Sequence, residues 1–241
     1  MLAQVFEGAS RSVLATVDLT AVGGVLDLGC GPGHTTALLA ETFASRPVTG
    51  IDRSPAFVEL ARADYGDRAD FRVGDVTADC PVDEPVALVN ARLLLSHLSD
   101  VGGLIARWHE WLVPDGIVVL EEPETIHTDD EMFAGYLRLT DALVADRGAT
   151  MFAGPLIDRA LADEPRVALN RALTWPVETG AAAQMFALNV ESWRHDEFIR
   201  ARMTERDLDE LHAGLLARVG DEGDTTIRWE IRQVVLRSKF G

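Results

Sequence analysis

The apolar and polar positions in the first half of the chain predict strands alternating with helices. Short apolar runs alternate with longer stretches in which apolar residues recur at helical spacing. We predict strands at Gly24–Leu28, Arg46–Asp52, Ala69–Asp75, Pro85–Ala91 and, after a turn, within Pro114–Glu122. We predict helices at Thr35–Ser45, Ser54–Gly66 (with Ser54 as N-cap and Pro55 at the first position) and Leu98–Leu112. This alternation is typical of a mostly parallel sheet that carries helices on both faces and strand C-termini at one edge.

The pattern is less regular after Glu122. Apolar spacing predicts helices at Thr128–Gly148, Gly154–Asp163 and Thr204–Gly220, and strands at Arg166–Glu178 and Thr225–Lys239. We find no internal repeat and no obvious linker. We therefore predict a single domain over residues 1–241, in which residues 123–224 contain a helical insertion.

Composition narrows the class of protein. Apolar residues make up 47% of the 241 residues, which is enough for a sizeable core. No apolar run is long enough to span a membrane, and the first residues are not typical of a signal peptide. Two cysteines, Cys30 and Cys80, are too few for a disulfide framework or a zinc site. We expect a cytoplasmic protein.

The charge of the chain argues against polyanionic partners. Lys and Arg number 22 against 39 Asp and Glu, so the formal net charge is −17. A strongly acidic surface repels nucleic acid and anionic lipid. We therefore expect neither a nucleic acid nor a membrane as partner.

The stretch "GGVLDLGCGPGHTT" places a glycine-rich turn between the first strand and the first helix. A dinucleotide-binding fingerprint has glycines at relative positions one, three and six, whereas here the sixth position is His34 and the third glycine comes early, at Gly33. The carboxylate of Asp27, just before the turn, is unfavourable beside a pyrophosphate. A ligand with a cationic group at this place suits Asp27 better.

Two more acids follow strand ends. Asp52 closes the second predicted strand, where a carboxylate can bind ribose hydroxyls. Asp75 closes the third, where an acid can accept a hydrogen bond from an adenine amino group. No Lys or Arg cluster is present for phosphate. A nucleoside with an amino-acid tail fits these positions, and a dinucleotide does not.

That ligand is S-adenosylmethionine, and the chain resembles the class I S-adenosylmethionine-dependent methyltransferases. The resemblance lies in five segments, in order and spacing: "VLDLGCGPGHTT", "GIDRSP", "ADFRVGDV", "NARLLLSHLSD" and "LVPDGIVVLEE". It covers roughly Val25–Glu122 and is greatest with the branch that acts on small molecules. It implies a Rossmann-like, doubly wound seven-stranded α/β sheet, mostly parallel with an antiparallel last strand. Many relatives carry a longer helical lid ahead of the first strand than this chain does; either the helical insertion forms the lid on the acceptor side, as we predict, or the site is relatively open, or the start has been trimmed.

The resemblance also implies roles for residues at the methionine and ribose ends of the cofactor. Asp27, Gly29 and Gly31 would line the methionine end through backbone groups and bridging water. Asp52 would bind the ribose hydroxyls. Arg53 stands where an apolar residue often flanks the adenine, so its aliphatic stem would have to pack there.

Further roles are implied at the adenine and at the methyl group. Asp75 and the amide of Val76 would contact the adenine edge. Asn90 and Ala91, after the fourth strand, would border the methyl group.

No residue stands out as a general base. The candidates for a catalytic role are His97, Glu122, His127 and Tyr136. The pattern of a catechol-type metal site is missing after the fifth strand, so we expect metal-independent transfer to a small-molecule acceptor, of the secondary-metabolite type. We expect a monomer or a homodimer.

Other functions stay open. A relative of the fold can bind S-adenosylmethionine without methylating, as a cyclase-like catalyst or a regulatory partner. A protein methyltransferase is a further alternative. An NAD-linked oxidoreductase is disfavoured by the early third glycine, by Asp27 and by the lack of a Tyr-x-x-x-Lys motif.

Overall fold

A computed structural model describes residues 2–220 and 227–238 of the chain. The helices are α1 (Leu2–Leu14), α2 (His34–Thr42), α3 (Pro55–Tyr65), α4 (Val101–Glu110), α5 (Glu131–Asp146), α6 (Gly154–Ala160), α7 (Thr179–Trp193), α8 (Glu197–Arg200) and α9 (Glu205–Leu216), with a 3-10 turn at Leu95–His97. The strands are β1 (Val25–Leu28), β2 (Val48–Asp52), β3 (Asp70–Val73), β4 (Val86–Arg92), β5 (Leu112–Thr128), β6 (Val167–Val177) and β7 (Ile227–Arg237).

The strands form one seven-stranded sheet in the order β3-β2-β1-β4-β5-β7-β6. The neighbours from β3 to β5 pair in parallel, and β7 pairs antiparallel with β5 on one side and β6 on the other. The predicted sheet with an antiparallel last strand is therefore confirmed. Thr225, Thr226 and Lys239, the outer residues of the predicted last strand, lie outside the described residues, as do residues 221–224 of the predicted insertion.

Local signals at two helix starts are confirmed in the structure. The Ser54 hydroxyl accepts a hydrogen bond from the Phe57 N–H, and Pro55 begins α3. Thr204 precedes α9 and forms a reciprocal capping box with Asp207. These side chains satisfy backbone N–H groups that have no partner within the helix.

The predicted fifth strand ends too early. It continues six residues beyond Glu122 to Thr128, because β7 pairs with it along this extension, up to Thr128 opposite Ile227. The segment 123–224 therefore begins within a strand, and it holds β6 as well as helices α5–α9.

Helix α1 precedes the sheet and is attached to it by specific contacts. The Phe6 ring packs edge-on against Trp229 with 4.9 Å between ring centroids. The Trp175 indole N–H donates to the Val5 carbonyl, and the Gln233 amide donates both to the Ala9 carbonyl and to Glu121. Tertiary contacts thus stabilise this helix against the sheet.

Apolar residues lie on both faces of the sheet. Leu26 and Leu28 of β1 pack with residues of α4 and α6, whereas Val25 packs with residues of α1 and α2. A separate apolar cluster joins α5, α7 and α9 to β7. In the parts of the chain that the structure describes, no helix has the length and apolar character needed to cross a membrane.

Candidate functional site

The glycine-rich turn after β1 leaves its backbone open at Gly31. Gly31 has a φ of +52° and Gly33 a φ of +90°, values that L side chains rarely adopt. A Cβ atom on Gly33 would lie 2.9 Å from the Cβ of Ala61 in α3, whereas no described atom lies within 4 Å of a Cβ position on Gly31. The turn therefore packs tightly against α3 and exposes bare backbone at Gly31, where a ligand can approach closely.

Asp52 lies beside this open backbone. Its Oδ2 accepts the Gly31 N–H at 2.9 Å, and its Oδ1 accepts the Ser54 N–H at 2.8 Å. An ionised carboxylate has about four acceptor positions, so Asp52 can accept further hydrogen bonds from hydroxyls. The next side chain, Arg53, is exposed.

Asp27 lies beneath the turn and is almost fully buried, with 1% of its surface exposed. Its two oxygens accept hydrogen bonds from Thr36 Oγ1 at 2.6 Å and from Asn90 Nδ2 at 2.8 Å. Burial raises the pKa of Asp27 to about 6, although both hydrogen bonds lower it. Asp27 thus joins the start of α2 to β4 and places a carboxylate under the turn.

The end of β4 completes this group of side chains. Asn90 pairs with Asp27 in the register of β1 and β4, and Ala91, the next residue, is fully buried. Arg92 follows and donates from Nη1 to Thr35 Oγ1 at 3.0 Å. The C-terminal ends of β1, β2 and β4 therefore meet around the glycine turn.

Asp75 and Val76 lie in the segment after β3. Asp75 is exposed, and its Oδ1 accepts hydrogen bonds from the N–H and hydroxyl of Thr77, which lower its pKa. Val76 is buried, and its carbonyl accepts the Trp108 indole N–H at 2.9 Å. This contact fixes the segment to α4.

Two of the four catalytic candidates are buried. Glu122 is fully buried, and its carboxylate accepts hydrogen bonds from the backbone that follows β4. Tyr136 in α5 is 2% exposed, stacks on Phe186 with 3.9 Å between ring centroids, and accepts a hydrogen bond from Asn189. Burial raises the pKa of Tyr136 to about 12. The polar atoms of Glu122 and Tyr136 are thus engaged in hydrogen bonds within the protein.

The other two candidates are exposed. His97 ends the 3-10 turn after β4, and His127 lies on β5 with its Nε2 3.7 Å from Glu230 Oε1. Within the described ranges no hydrogen bond joins any two of His97, Glu122, His127 and Tyr136. The four do not form a single hydrogen-bonded group.

Two residues that sequence reasoning missed lie at the turn. Thr36 donates a hydrogen bond to Asp27. A hydroxyl residue within "GHTT", directly after the glycine turn, is a sequence signal that could have identified it. Leu94 packs on Gly29, because a Cβ atom on Gly29 would lie 2.7 Å from Leu94 Cδ1. No sequence signal distinguishes Leu94 from its neighbours in "RLLLS".

Two cavities lie among the described residues. A polar cavity of about 160 Å³ lies between α1, the start of α2 and Arg92, and it is lined in part by Arg11, His34 and Arg68. An apolar cavity of about 500 Å³ lies along α5 and is lined in part by Met132, Tyr136, Leu139, Met203 and Leu211. Within the described ranges, no group of three or more His, Cys, Asp or Glu side chains could hold a metal ion.

Comparison with known proteins identifies the domain around this turn. Residues 25–116 match the family model described as methyltransferase domain. Trans-aconitate 2-methyltransferase from Methylobacterium radiotolerans is 38% identical over 117 residues, which cover 48% of this chain and 44% of that protein. The enzyme of the same name from Streptomyces coelicolor is 31% identical over 143 residues, covering 52% and 47%. The matches thus span about half the length of these curated relatives.

Solved structures match the fold over nearly the whole chain. Phosphoethanolamine N-methyltransferase 2 of Haemonchus contortus, in complex with S-adenosylhomocysteine, has a TM-score of 0.59 at 18% identity, covering 98% of this chain and 56% of that one. A cyclopropane synthase of Mycobacterium tuberculosis has a TM-score of 0.58 at 17% identity, covering 99% and 86%. Residues 25–116 therefore match a methyltransferase domain, and the seven-stranded sheet with its glycine turn has the fold of these solved structures.

Proposed function

We propose that this chain binds S-adenosylmethionine at the glycine turn and transfers its methyl group to a small-molecule acceptor. The observation that carries the proposal is Asp52, whose carboxylate is fixed beside the open backbone of Gly31 at the C-terminal edge of the sheet. An acidic group at this edge, next to a turn that leaves room for a ligand, suits a ribose. The family match over residues 25–116 supports the same assignment.

The residues at the turn fit this cofactor chemically. Bare backbone at Gly31 lets the ligand approach, and the buried carboxylate of Asp27 supplies negative charge on the side where the ammonium and sulfonium groups would lie. When bound, S-adenosylmethionine supplies a methyl group on a positively charged sulfur that is already activated for transfer. The task of the chain's own residues is to hold the acceptor in line and exclude water.

Gly29 would line the methionine end beside Gly31. For the adenine, we assign the exposed Arg53 as flanking group and Asp75 with the Val76 amide as edge contacts. Asn90 and Ala91 would border the methyl group, with Asn90 also fixing Asp27.

The acceptor side is proposed to lie in the segment 123–224. The apolar cavity along α5 supports this assignment, because it gives the segment an open, mostly apolar surface that an acceptor could use. The trans-aconitate 2-methyltransferases match this chain and are named for a small-molecule acceptor, which supports an acceptor of that size. A secondary-metabolite acceptor, metal-independent transfer, the oligomeric state and a cytoplasmic location stay predictions.

Calorimetric titration with S-adenosylhomocysteine tests the cofactor assignment, with NAD as control ligand. We expect micromolar binding of S-adenosylhomocysteine and no binding of NAD. Asp52→Asn should weaken the binding of S-adenosylhomocysteine by about tenfold or more, because the substitution removes one acceptor oxygen where the ribose hydroxyls would bind. Binding that is equally tight in Asp52→Asn contradicts the assignment of the ribose site.

Incubation with S-adenosylmethionine and a panel of small acceptors tests the activity. We expect a product heavier by one methylene group, detected by mass spectrometry, together with S-adenosylhomocysteine. Cofactor that binds but is never consumed, with any acceptor, would favour a non-methylating member of the fold. Methylation of proteins alone would contradict the small-molecule assignment.

A further inference from the structure

The backbone after β4 leaves the sheet in an unfavourable conformation. Leu93 has a φ of +51°, in the left-handed region that a leucine rarely adopts. Its N–H donates to the Glu121 carbonyl at 2.9 Å, so the change of direction occurs directly at the strand end. A strained residue persists only where surrounding contacts fix it.

Glu122 supplies those contacts. Its Oε1 accepts the N–H groups of Leu94 and Leu95, each at 2.6 Å, and its Oε2 accepts the N–H of Ser96 at 3.3 Å. Three successive backbone donors thus converge on one fully buried carboxylate. Hydrogen bonds to an ionised group are stronger than neutral ones, so Glu122 fixes the path of the segment most firmly above its pKa of about 7, where the carboxylate is ionised.

The segment that Glu122 fixes forms a wall of the glycine turn. The branched end of Leu94 lies against Gly29: the distances from a Cβ position on Gly29 to Leu94 Cδ1, Cγ and Cδ2 are 2.7, 3.2 and 3.3 Å. Two residues further along, the Cβ position on Gly31 is open. Leu94 therefore covers the turn at Gly29 and leaves the backbone at Gly31 accessible to a ligand.

We propose that Glu122 is a positioning residue, which fixes the backbone of residues 94–96 and thereby holds Leu94 against Gly29 at the edge of the cofactor site. This role rests on the proposed function, and it replaces the catalytic role expected from sequence. Among the residues that the structure describes, the Glu122 carboxylate accepts its hydrogen bonds from this segment. The neighbouring Glu121 is almost as buried but bonds Gln233 under α1 instead, which makes it a matched control.

Calorimetric titration of S-adenosylhomocysteine into four variants tests the proposal. We expect Glu122→Gln to raise Kd by about tenfold and Leu94→Ala by about fivefold, with Glu121→Gln within about twofold of wild type. If Glu122 acts through Leu94, the double variant Glu122→Gln/Leu94→Ala should bind within about twofold of Glu122→Gln alone. The proposal would be overturned if the double variant raised Kd by the product of the two single effects. It would also be overturned if Glu121→Gln raised Kd as much as Glu122→Gln. An unchanged Kd in Leu94→Ala would overturn it too, and this variant keeps the buried carboxylate and remains informative if Glu122→Gln does not fold.

A measurement on the ligand-free protein separates this proposal from the cofactor assignment. We expect the amide proton resonances of Leu94, Leu95 and Ser96 to move in Glu122→Gln and to stay in place in Glu121→Gln. If they move while wild type binds no S-adenosylhomocysteine, the proposed function fails but the contact of Glu122 with the segment stands. Unmoved resonances would overturn the role of Glu122 whatever the ligand data show.

Discussion

At the scale of single residues, two glycines of the same turn should respond differently to an added methyl group. Gly31→Ala puts a Cβ into open space at positive φ, so we expect a loss of about 1–2 kcal/mol in the free energy of unfolding. The same methyl group would occupy the space where the ligand approaches, and S-adenosylhomocysteine should bind at least about tenfold more weakly.

Gly33→Ala is the matched control for that prediction. Its Cβ would lie 2.9 Å from Ala61, so we expect a larger loss of stability than in Gly31→Ala. Urea unfolding and calorimetry on both variants give the comparison. Unchanged affinity in Gly31→Ala would show that the ligand does not lie on the open side of the turn.

Glu122 also gives a prediction about pH. Burial raises its pKa from the ordinary 4.5 to about 7, despite the three N–H donors. The folded chain therefore keeps a proton in a window where the unfolded chain has lost it, and the contribution of this group to stability falls as pH rises through that window. Between about pH 5 and about pH 8, the unfolding free energy of wild type should fall relative to Glu122→Gln by on the order of 3 kcal/mol. Chemical denaturation of wild type and Glu122→Gln across this pH range measures the two unfolding free energies. A difference between them that does not change with pH would contradict the raised pKa.

At this scale the sequence identifies residue types better than their contacts. Asp27 and Asp52 could be assigned to the turn because strand ends in a parallel sheet meet at one edge. Glu122 could not be assigned, because its partners are backbone N–H groups some 26–28 residues earlier in the chain. Tyr136 is a catalytic candidate from the sequence, and only the folded chain places it in a stack with Phe186 and Trp193.

At the scale of elements, α1 should depend on its contact with the sheet. Phe6 is 1% exposed and packs on Trp229, so Phe6→Ala should lower the free energy of unfolding by about 3–5 kcal/mol. We also expect faster hydrogen exchange throughout α1. Phe57→Ala, which removes a half-exposed ring from α3, is the control and should change both quantities little. Equal effects of the two substitutions would mean that α1 is not held by this contact.

The two long helices that sequence analysis missed differ in their apolar pattern. Helix α1 has a one-sided pattern, with Phe6, Ala9 and Val13 buried, but it also contains Gly8, Ser10 and Ser12, which favour helices weakly. Helix α7 buries residues around most of its surface, from Ala182 and Ala183 to Phe186 and Val190, so it lacks the one-sided apolar pattern of a surface helix. Only α7 is therefore specified by packing that a single sequence does not display.

At the scale of the whole molecule, a ligand that binds only the folded state should raise the melting temperature. S-adenosylhomocysteine at about a hundred times its Kd should add about 2.7 kcal/mol to the free energy of unfolding. For a chain of this length, that corresponds to a rise of about 5–10 °C. Differential scanning fluorimetry with and without the ligand measures it, and NAD at the same concentration should leave the melting temperature unchanged. A rise with NAD of the same size would contradict the cofactor assignment.

The position of β7 has a consequence for how the protein is made. This strand follows β5 and β6 in the sequence but lies between them in the sheet, and those two strands do not pair directly. While the ribosome is still adding residues 227–238, one edge of β5 has no partner, and β6, which among the described strands pairs with β7 alone, has no partner on either side. Unpaired edges of this kind can pair with other chains. The emerging polypeptide therefore passes through an aggregation-prone stage that ends only when the ribosome has released β7, and its yield in cells should depend on chaperones that cover nascent strands.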